Sequence, residues 1–258
     1  MTKIGESKYW NMLWEQYKQA PSIALCRVPE LEYASTIDVT VPTLDHCCGD
    51  GVFASMAWRN TKIDAGCDIQ IKSIEHARRK KIYKRSDVCD VSKKMPYSDK
   101  TFDLVFNNSA LEHILDLDSA LSEVARVLSK KGVFAFNVLN HRYFQWWPLS
   151  EKAKRDYREW QPFYHAFSLE EWKQRLSKVG MEILSVSGYF DRESTAILAK
   201  LDYFFSGFYI RRKTNLFIIK YFLLKHYQQI LLKKHLAKLT WKTEPDDGSG
   251  FFIKAVNK

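Results

Sequence analysis

The stretch from Thr43 to Gly51, "TLDHCCGDG", constrains this chain more than any other. A short apolar lead-in runs straight into two glycines, and a helix-like segment begins near Val52. A strand that turns through glycine into a helix is the opening of a β-α-β unit. The same alternation continues downstream. Strand candidates fall at 43–47, 62–67, 82–87, 102–107 and 133–139, with further helical segments beginning near Gln70 and Asp116. Periods of 20–30 residues predict an α/β fold, a mostly parallel sheet with helices on both faces. In the helix near Asp116, Leu117, Leu121, Val124 and Leu128 recur at helical spacing. The Lys130-Lys131-Gly132 that follows predicts its C-cap.

After Leu139 the pattern changes. Residues 140–167 are aromatic, polar and irregular. Ser168 and Glu171 then have the spacing of a capping box at the start of another helix. Strand candidates at 181–190 and 250–258 flank an insertion of about sixty residues. The expected organisation is therefore an N-terminal helical flap (1–40), an α/β core (41–139), an aromatic segment (140–167), the remainder of the core sheet (168–190 and 250–258) and a basic, apolar insertion (191–249). In the flap, Trp10, Trp14 and Tyr17 fall at i, i+4, i+7, which predicts an amphipathic helix packed on the domain.

The opening stretch admits two chemistries. A histidine and two cysteines suggest a metal, but successive strand side chains point to opposite faces, so Cys47 and Cys48 cannot readily grip one ion. Zinc sites pair ligands two to four residues apart, and Cys26, Cys67 and Cys89 stand alone. No metal is expected, and five unpaired cysteines predict free thiols in a reducing compartment. The alternative is a ligand cradle. Gly49 and Gly51 let backbone approach a ligand, and Asp68, at the end of the next strand, can accept hydrogen bonds from two ribose hydroxyls. "GDGVFA" also satisfies the dinucleotide pattern G-x-G-x-x-A, which keeps an NAD-linked oxidoreductase open as an alternative.

The wider run "DVCDVSKKMPYSDKTFDLVFNNSALEHILDLDSALSEVARVLSKKGVFAFNV" resembles the class I S-adenosylmethionine-dependent methyltransferases. The likeness is carried by an acid after the third strand, a "P-Y-x-D-x-T-F-D-L-V" run, "LEH", and "RVL" followed by glycine. It covers residues 40–140 well, and 165–190 and 250–256 loosely. The resemblance implies a Rossmann-like seven-stranded sheet with a helical and aromatic substrate cap built from the insertions, and S-adenosylmethionine as cofactor. It places Asp45, Cys47, Gly49 and Gly51 along the methionine part, Asp68 at the ribose and Ile69 against the adenine. Asp87 would meet the adenine amino group with Val88 beside the ring, Asp90 being the rival acid, and Asn107 would lie near the sulfonium. Family members carry glycine where this chain has Cys47; the turn is expected to survive if Cys47 keeps a negative φ.

Methyl transfer is an in-line displacement in which the protein supplies mainly proximity and alignment. His113, after the fourth strand, is the candidate general base. His141, Tyr143, Trp146, Tyr164 and His165 are the candidate substrate contacts. The expected activity is methylation, preferably on oxygen, of a small-molecule or glycan/lipid-pathway acceptor. The non-enzyme alternative is a degenerate methyltransferase fold that docks through its basic segment.

That segment, residues 200–242, holds ten Lys/Arg against one acid and so carries nearly all of the net charge of +10. A solvated helical cap, an anionic membrane surface or lipid-linked substrate, and nucleic acid all fit such a composition. "NNSA" lacks the Pro-Pro-Tyr/Trp signature of base-directed amino methylases, which argues against nucleic acid. The apolar runs are broken by Lys220 and Lys225, far short of the roughly 20 residues a membrane span requires. The N-terminus has no apolar core of a secretory signal. A cytoplasmic protein is expected, with peripheral attachment at the inner face of the membrane as an extension of the basic-segment reading.

Overall fold

A computed structural model of the chain describes residues 1–18, 20–209 and 226–258. Its packing divides the chain into two units. A core unit comprises Tyr33–Asn140, Tyr164–Val186 and Phe251–Lys258; the other comprises Met1–Glu32, His141–Phe163 and Ser187–Gly250. In chain order the strands are β1 (Thr2–Lys3), β2 (Thr43–His46), β3 (Ile63–Asp68), β4 (Tyr83–Val88), β5 (Phe102–Asn108), β6 (Leu128–Leu139), β7 (Met181–Tyr189), β8 (Thr240–Thr243) and β9 (Gly250–Asn257).

The seven expected strands are those of the core unit, in the order β7-β9-β6-β5-β2-β3-β4. β2, β3, β4, β5 and β6 pair in parallel. The inner strands are apolar on both faces: β5 buries Phe102, Leu104, Val105 and Phe106 almost without a break. Alternation sorts these side chains to opposite sides of the sheet. Val105, Phe134 and Phe136 pack with Leu121, Val124 and Trp172 on one face. Leu104, Phe106 and Ala135 pack with Ile74, Ala77 and Trp58 on the other. Helices thus cover both faces, as the alternation predicts. The order reverses at β2, which continues to β3 and β4 on one side while β5 and β6 lie on the other, and ligands of open α/β sheets bind at the carboxyl end of such a reversal.

The helix Leu117–Val127 buries Leu117, Leu121 and Val124, and the Asp116 carboxylate caps it by accepting from the Ser119 N–H at 3.2 Å. It does not end at Gly132. The chain is already extended at Leu128 (φ −70°, ψ 136°), and Lys130, Lys131 and Gly132 belong to β6. A bulge in the β5–β6 register lies here, and a Cβ at Gly132 would meet the Ser129 carbonyl oxygen at 2.9 Å, so this glycine serves the irregular strand and not the helix. The capping box forms as expected: the Ser168 hydroxyl accepts from Glu171 N–H at 3.3 Å, and the Glu171 carboxylate accepts from Ser168 N–H at 2.8 Å.

In the other unit, the helix Trp10–Tyr17 buries Trp10 and Trp14, whose rings lie 5.5 Å apart. Residues 140–167, expected to be irregular, contain the helices Arg142–Gln145 and Glu151–Trp160. The insertion contributes the helices Arg192–Tyr209 and His226–Leu236 and the unexpected strand β8. β8 pairs antiparallel with β1 and with the last residues of β7, which brings the described strands to nine. Arg211, Arg212, Lys213, Lys220 and Lys225 lie outside the described residues. Among the described residues no helix is long and apolar enough to cross a membrane.

Candidate active site

At the carboxyl end of the core strands lies a cavity of about 580 Å³, within the size range of small-molecule sites. Four neighbouring strands supply its wall: Cys47 after β2, residues 68–70 after β3, 89–93 after β4, and Ala110 with 113–116 after β5. Its lining joins carboxylates (Asp68, Asp90, Asp116) to apolar faces (Ile69, Val91, Ile114, Leu115).

The glycine turn is tied to this wall through Asp68. One carboxylate oxygen accepts the Gly49 N–H at 3.0 Å and the other the Gln70 N–H at 2.9 Å. A carboxylate has about four acceptor sites, so capacity remains for two hydroxyl donors. Gly49 and Gly51 both sit at positive φ (56° and 73°). A Cβ at Gly49 would meet nothing within 4 Å, which leaves open space over the turn for a ligand. Cys47 does not keep a negative φ: it stands at +61°, in the left-handed region, and the turn forms nonetheless. Cysteine thus holds, two residues before Gly49, a conformation that costs a residue with a Cβ.

Behind the wall is a buried polar layer. Asp45 accepts from the Tyr83 hydroxyl at 2.5 Å, and burial pushes its carboxyl up to about 7. His46 is fully buried, and loss of hydration pushes its imidazole down to about 4. Asn107 donates to the His46 carbonyl oxygen and to Nδ1, each at 2.9 Å. With Nδ1 accepting, the proton of the neutral ring sits on Nε2. That Nε2, and Asn107 Oδ1, are buried without a hydrogen-bond partner.

Of the expected site residues, Cys47, Asp68, Ile69 and His113 are on the cavity wall. Asp45, Gly49, Gly51, Asp87, Val88 and Asn107 are not among its lining residues. Of the two acids considered for adenine, Asp90 lines the cavity and Asp87 turns to Arg85 Nε at 2.7 Å. One oxygen of Asp90 accepts from the Ser92 N–H (2.9 Å) and hydroxyl (2.7 Å), which fixes the loop around it. His113 ends the short turn Leu111–His113. Tyr164 and His165 brace that turn, through Tyr164 N–H to the Glu112 carbonyl (2.9 Å) and His165 Nε2 to the Ile114 carbonyl (2.8 Å). Tyr143 packs in the other unit among Phe144 (5.2 Å) and Trp147 (5.4 Å), and His141 and Trp146 belong to that unit too. Gln70, Val91, Ser92, Lys93 and residues 114–116 were not foreseen. Only their place just beyond the strand ends could have pointed to them.

A parallel sheet with this strand order, a glycine turn after β2 and an acid after β3 have the form of a class I, Rossmann-like methyltransferase domain. Residues 44–136 match the family described as "Methyltransferase domain", a family whose cofactor is S-adenosylmethionine. The chain is 30% identical over 104 residues to the ubiquinone biosynthesis O-methyltransferase of Pelagibacter ubique, covering 39% of this chain and 42% of that protein. It is also 30% identical over 125 residues to the malonyl-acyl-carrier-protein O-methyltransferase of Salmonella typhimurium, covering 48% and 49%. The alignments thus span less than half the length of each relative. Among solved structures, an S-adenosylmethionine-dependent methyltransferase of Thermotoga maritima, a possible histamine N-methyltransferase, shares the fold with a TM-score of 0.61 at 16% identity, over 97% of this chain and 98% of that one.

Proposed function

We propose that this chain is an S-adenosylmethionine-dependent methyltransferase acting on a small-molecule acceptor, with transfer to oxygen. The observation that carries the reading is the cavity itself, where Asp68, Asp90 and His113 share one wall at the sheet's reversal point. The residues present fit the cofactor: paired carboxylates for hydroxyl and amino donors, Ile69 and Val91 for a flat ring, and open space over Gly49. Asp68 holds the ribose and Asp90, in place of Asp87, the adenine amino group. When bound, S-adenosylmethionine supplies a methyl group already activated by its sulfonium. His113, exposed on the wall beside Ile114, receives the proton of an alcohol acceptor. Preference for oxygen rests on the two relatives named as O-methyltransferases.

Calorimetry tests this directly. S-adenosylmethionine and S-adenosylhomocysteine bind, NAD does not, and Asp68→Ala weakens adenosyl binding by about 1–3 kcal/mol, the scale of a lost charged hydrogen bond. A folded protein that binds neither adenosyl ligand sinks the reading. For His113→Gln, kcat falls by about 10²–10⁴-fold with little change in cofactor affinity.

The acceptor reading extends to residues 200–242, whose excess of Lys/Arg suits an anionic lipid surface or a lipid-linked acceptor at the inner face of the membrane. Flotation with anionic vesicles carries the protein upward, and neutral vesicles do not. Protein left at the bottom of both gradients ends that extension.

A further inference from the structure

Three of the five cysteines share one core cluster beside the cavity. Cys67 is fully buried at the end of β3, and Cys47 and Cys89 pack against the same cluster. Cys47 and Cys89 are both on the cavity wall. Cys67 is the register partner of Asp87 on β4, and Cys89 lies two positions further on. The pairing continues past the strand end, since Cys89 N–H donates to the Asp68 carbonyl at 3.0 Å. Residues two apart on a strand share a face, so Cys89, one position past the end of β4, is the diagonal neighbour of Cys67 on the same face. Each is the first influence on the other's acidity. One is open to the cavity and the other is shielded behind it, the arrangement of an attacking thiol with a resolving thiol.

We propose that Cys89 is a peroxide-reactive thiol and Cys67 its resolving partner, so that oxidation closes a disulfide in the wall of the cofactor cavity. The neighbouring Cys67 thiol lowers the pKa of Cys89, against the opposing influence of burial, Asp87, Asp90 and Asp68. In the first step the Cys89 thiolate attacks one oxygen of hydrogen peroxide. The O–O bond breaks, Cys89 becomes a sulfenic acid, and the departing hydroxide takes up a proton to leave as water. In the second step the Cys67 sulfur attacks the Cys89 sulfur. The S–S bond forms, and the sulfenic hydroxyl leaves as water with the Cys67 proton. Two thiols are oxidised and one peroxide is reduced to two waters. The three neighbouring carboxylates select the oxidant. A small neutral peroxide enters, and an anionic disulfide such as oxidised glutathione is repelled.

The consequence for cofactor binding rests on the functional reading above, whereas the oxidation itself does not. The test therefore reads the thiols first, without ligand. The protein is treated with a few equivalents of hydrogen peroxide, then denatured and its free thiols titrated. The count falls from five to three, peptide mapping joins Cys67 to Cys89, and dithiothreitol restores all five. Cys47→Ser still forms the bond. Cys89→Ser retains every thiol it has, and Cys67→Ser leaves a Cys89 sulfenic acid that dimedone traps. An unchanged count, a disulfide between other cysteines, or no dimedone adduct in Cys67→Ser overturns the proposal. A mixed disulfide formed with oxidised glutathione overturns the choice of oxidant. S-adenosylhomocysteine then enters as a separate arm: it slows the thiol loss severalfold, and the oxidised protein no longer binds it. If the disulfide forms at the same rate with the ligand present, the cofactor assignment of the cavity fails and the thiol pair stands.

Discussion

At the scale of single residues, the site carries backbone strain and two buried titratable groups that make opposite demands on pH. Cys47 at φ +61° occupies a conformation costing a non-glycine residue about 1–2 kcal/mol. Glycine there relieves that strain but adds unfolded-chain entropy worth about 0.5–1 kcal/mol. Cys47→Gly is thus expected to raise stability by about 0.5–1 kcal/mol, read as a higher urea midpoint at unchanged slope; a lower midpoint contradicts the strain. Asp45, raised to about 7 in the folded chain, holds a proton that the unfolded chain releases near 4. Its contribution is full below pH 4 and is lost as pH rises to 7. His46, lowered to about 4, does the reverse: its contribution is full above about 6.5 and is lost as pH falls toward 4. Between pH 4 and 6.5 the two slopes oppose each other. Asp45→Asn removes the first and exposes the second, so the variant's stability falls more steeply than wild type's on acidification from pH 7 to 4.5. Parallel curves from urea titrations across that window would falsify this account.

At the scale of elements, the motif "RVL" shows why the run from Asp87 to Leu128 is legible. Arg126, on the helix Leu117–Val127, donates to the carbonyls of Tyr97 (2.8 Å) and Met95 (3.2 Å) and to the carboxylates of Glu123 (2.7 Å) and Asp99 (2.8 Å). Glu123 in turn accepts the Met95 N–H at 2.7 Å. Only a guanidinium has donors enough for this set in one plane, and the set fastens the loop after β4 to the helix. Arg126→Lys is expected to cost about 1.5–3 kcal/mol, measured by chemical denaturation, since at least one charged bond and one carbonyl bond are lost. A cost under about 0.5 kcal/mol would mean that the loop holds itself. The same logic separates what the sequence disclosed from what it hid. Strands buried on both faces read as apolar runs, and the glycine turn and Asp68 have residue types that few other roles require. The end of the helix at Val127 was hidden because a lysine pair and a glycine serve a bulged strand as well as a cap. β1 and β8 were hidden because strands of two and four residues leave no periodicity. Gln70, Val91 and Ser92 were hidden because ordinary side chains become site residues only through where a strand ends. Cys47 kept its residue type in view and concealed its backbone angle.

At the scale of the whole molecule, the two units divide the work of reporting on a ligand. The cavity and its four strand ends belong wholly to the core unit, which holds Trp58 and Trp172, whereas Trp10, Trp14, Trp146, Trp147, Trp160 and Trp241 belong to the other. A ligand that binds only the folded state stabilises it by RT ln(1 + [L]/Kd), about 2.7 kcal/mol at a hundredfold excess over Kd. Trp58 donates to the Ala34 carbonyl at 3.1 Å and packs edge-on to Phe106 at 4.9 Å, so its emission reports the sheet that carries the site. In a variant with the six tryptophans of the other unit changed to phenylalanine, fluorescence then follows the core alone. S-adenosylhomocysteine at a hundredfold excess is expected to move that transition by about 2.7 kcal/mol. The six substitutions remove buried rings, so the variant's own baseline stability is measured first and only the ligand-induced difference is read. A folded variant whose core transition does not move with the ligand, while the whole chain's circular dichroism does, would place the stabilising site outside the cavity at the ends of β2, β3, β4 and β5.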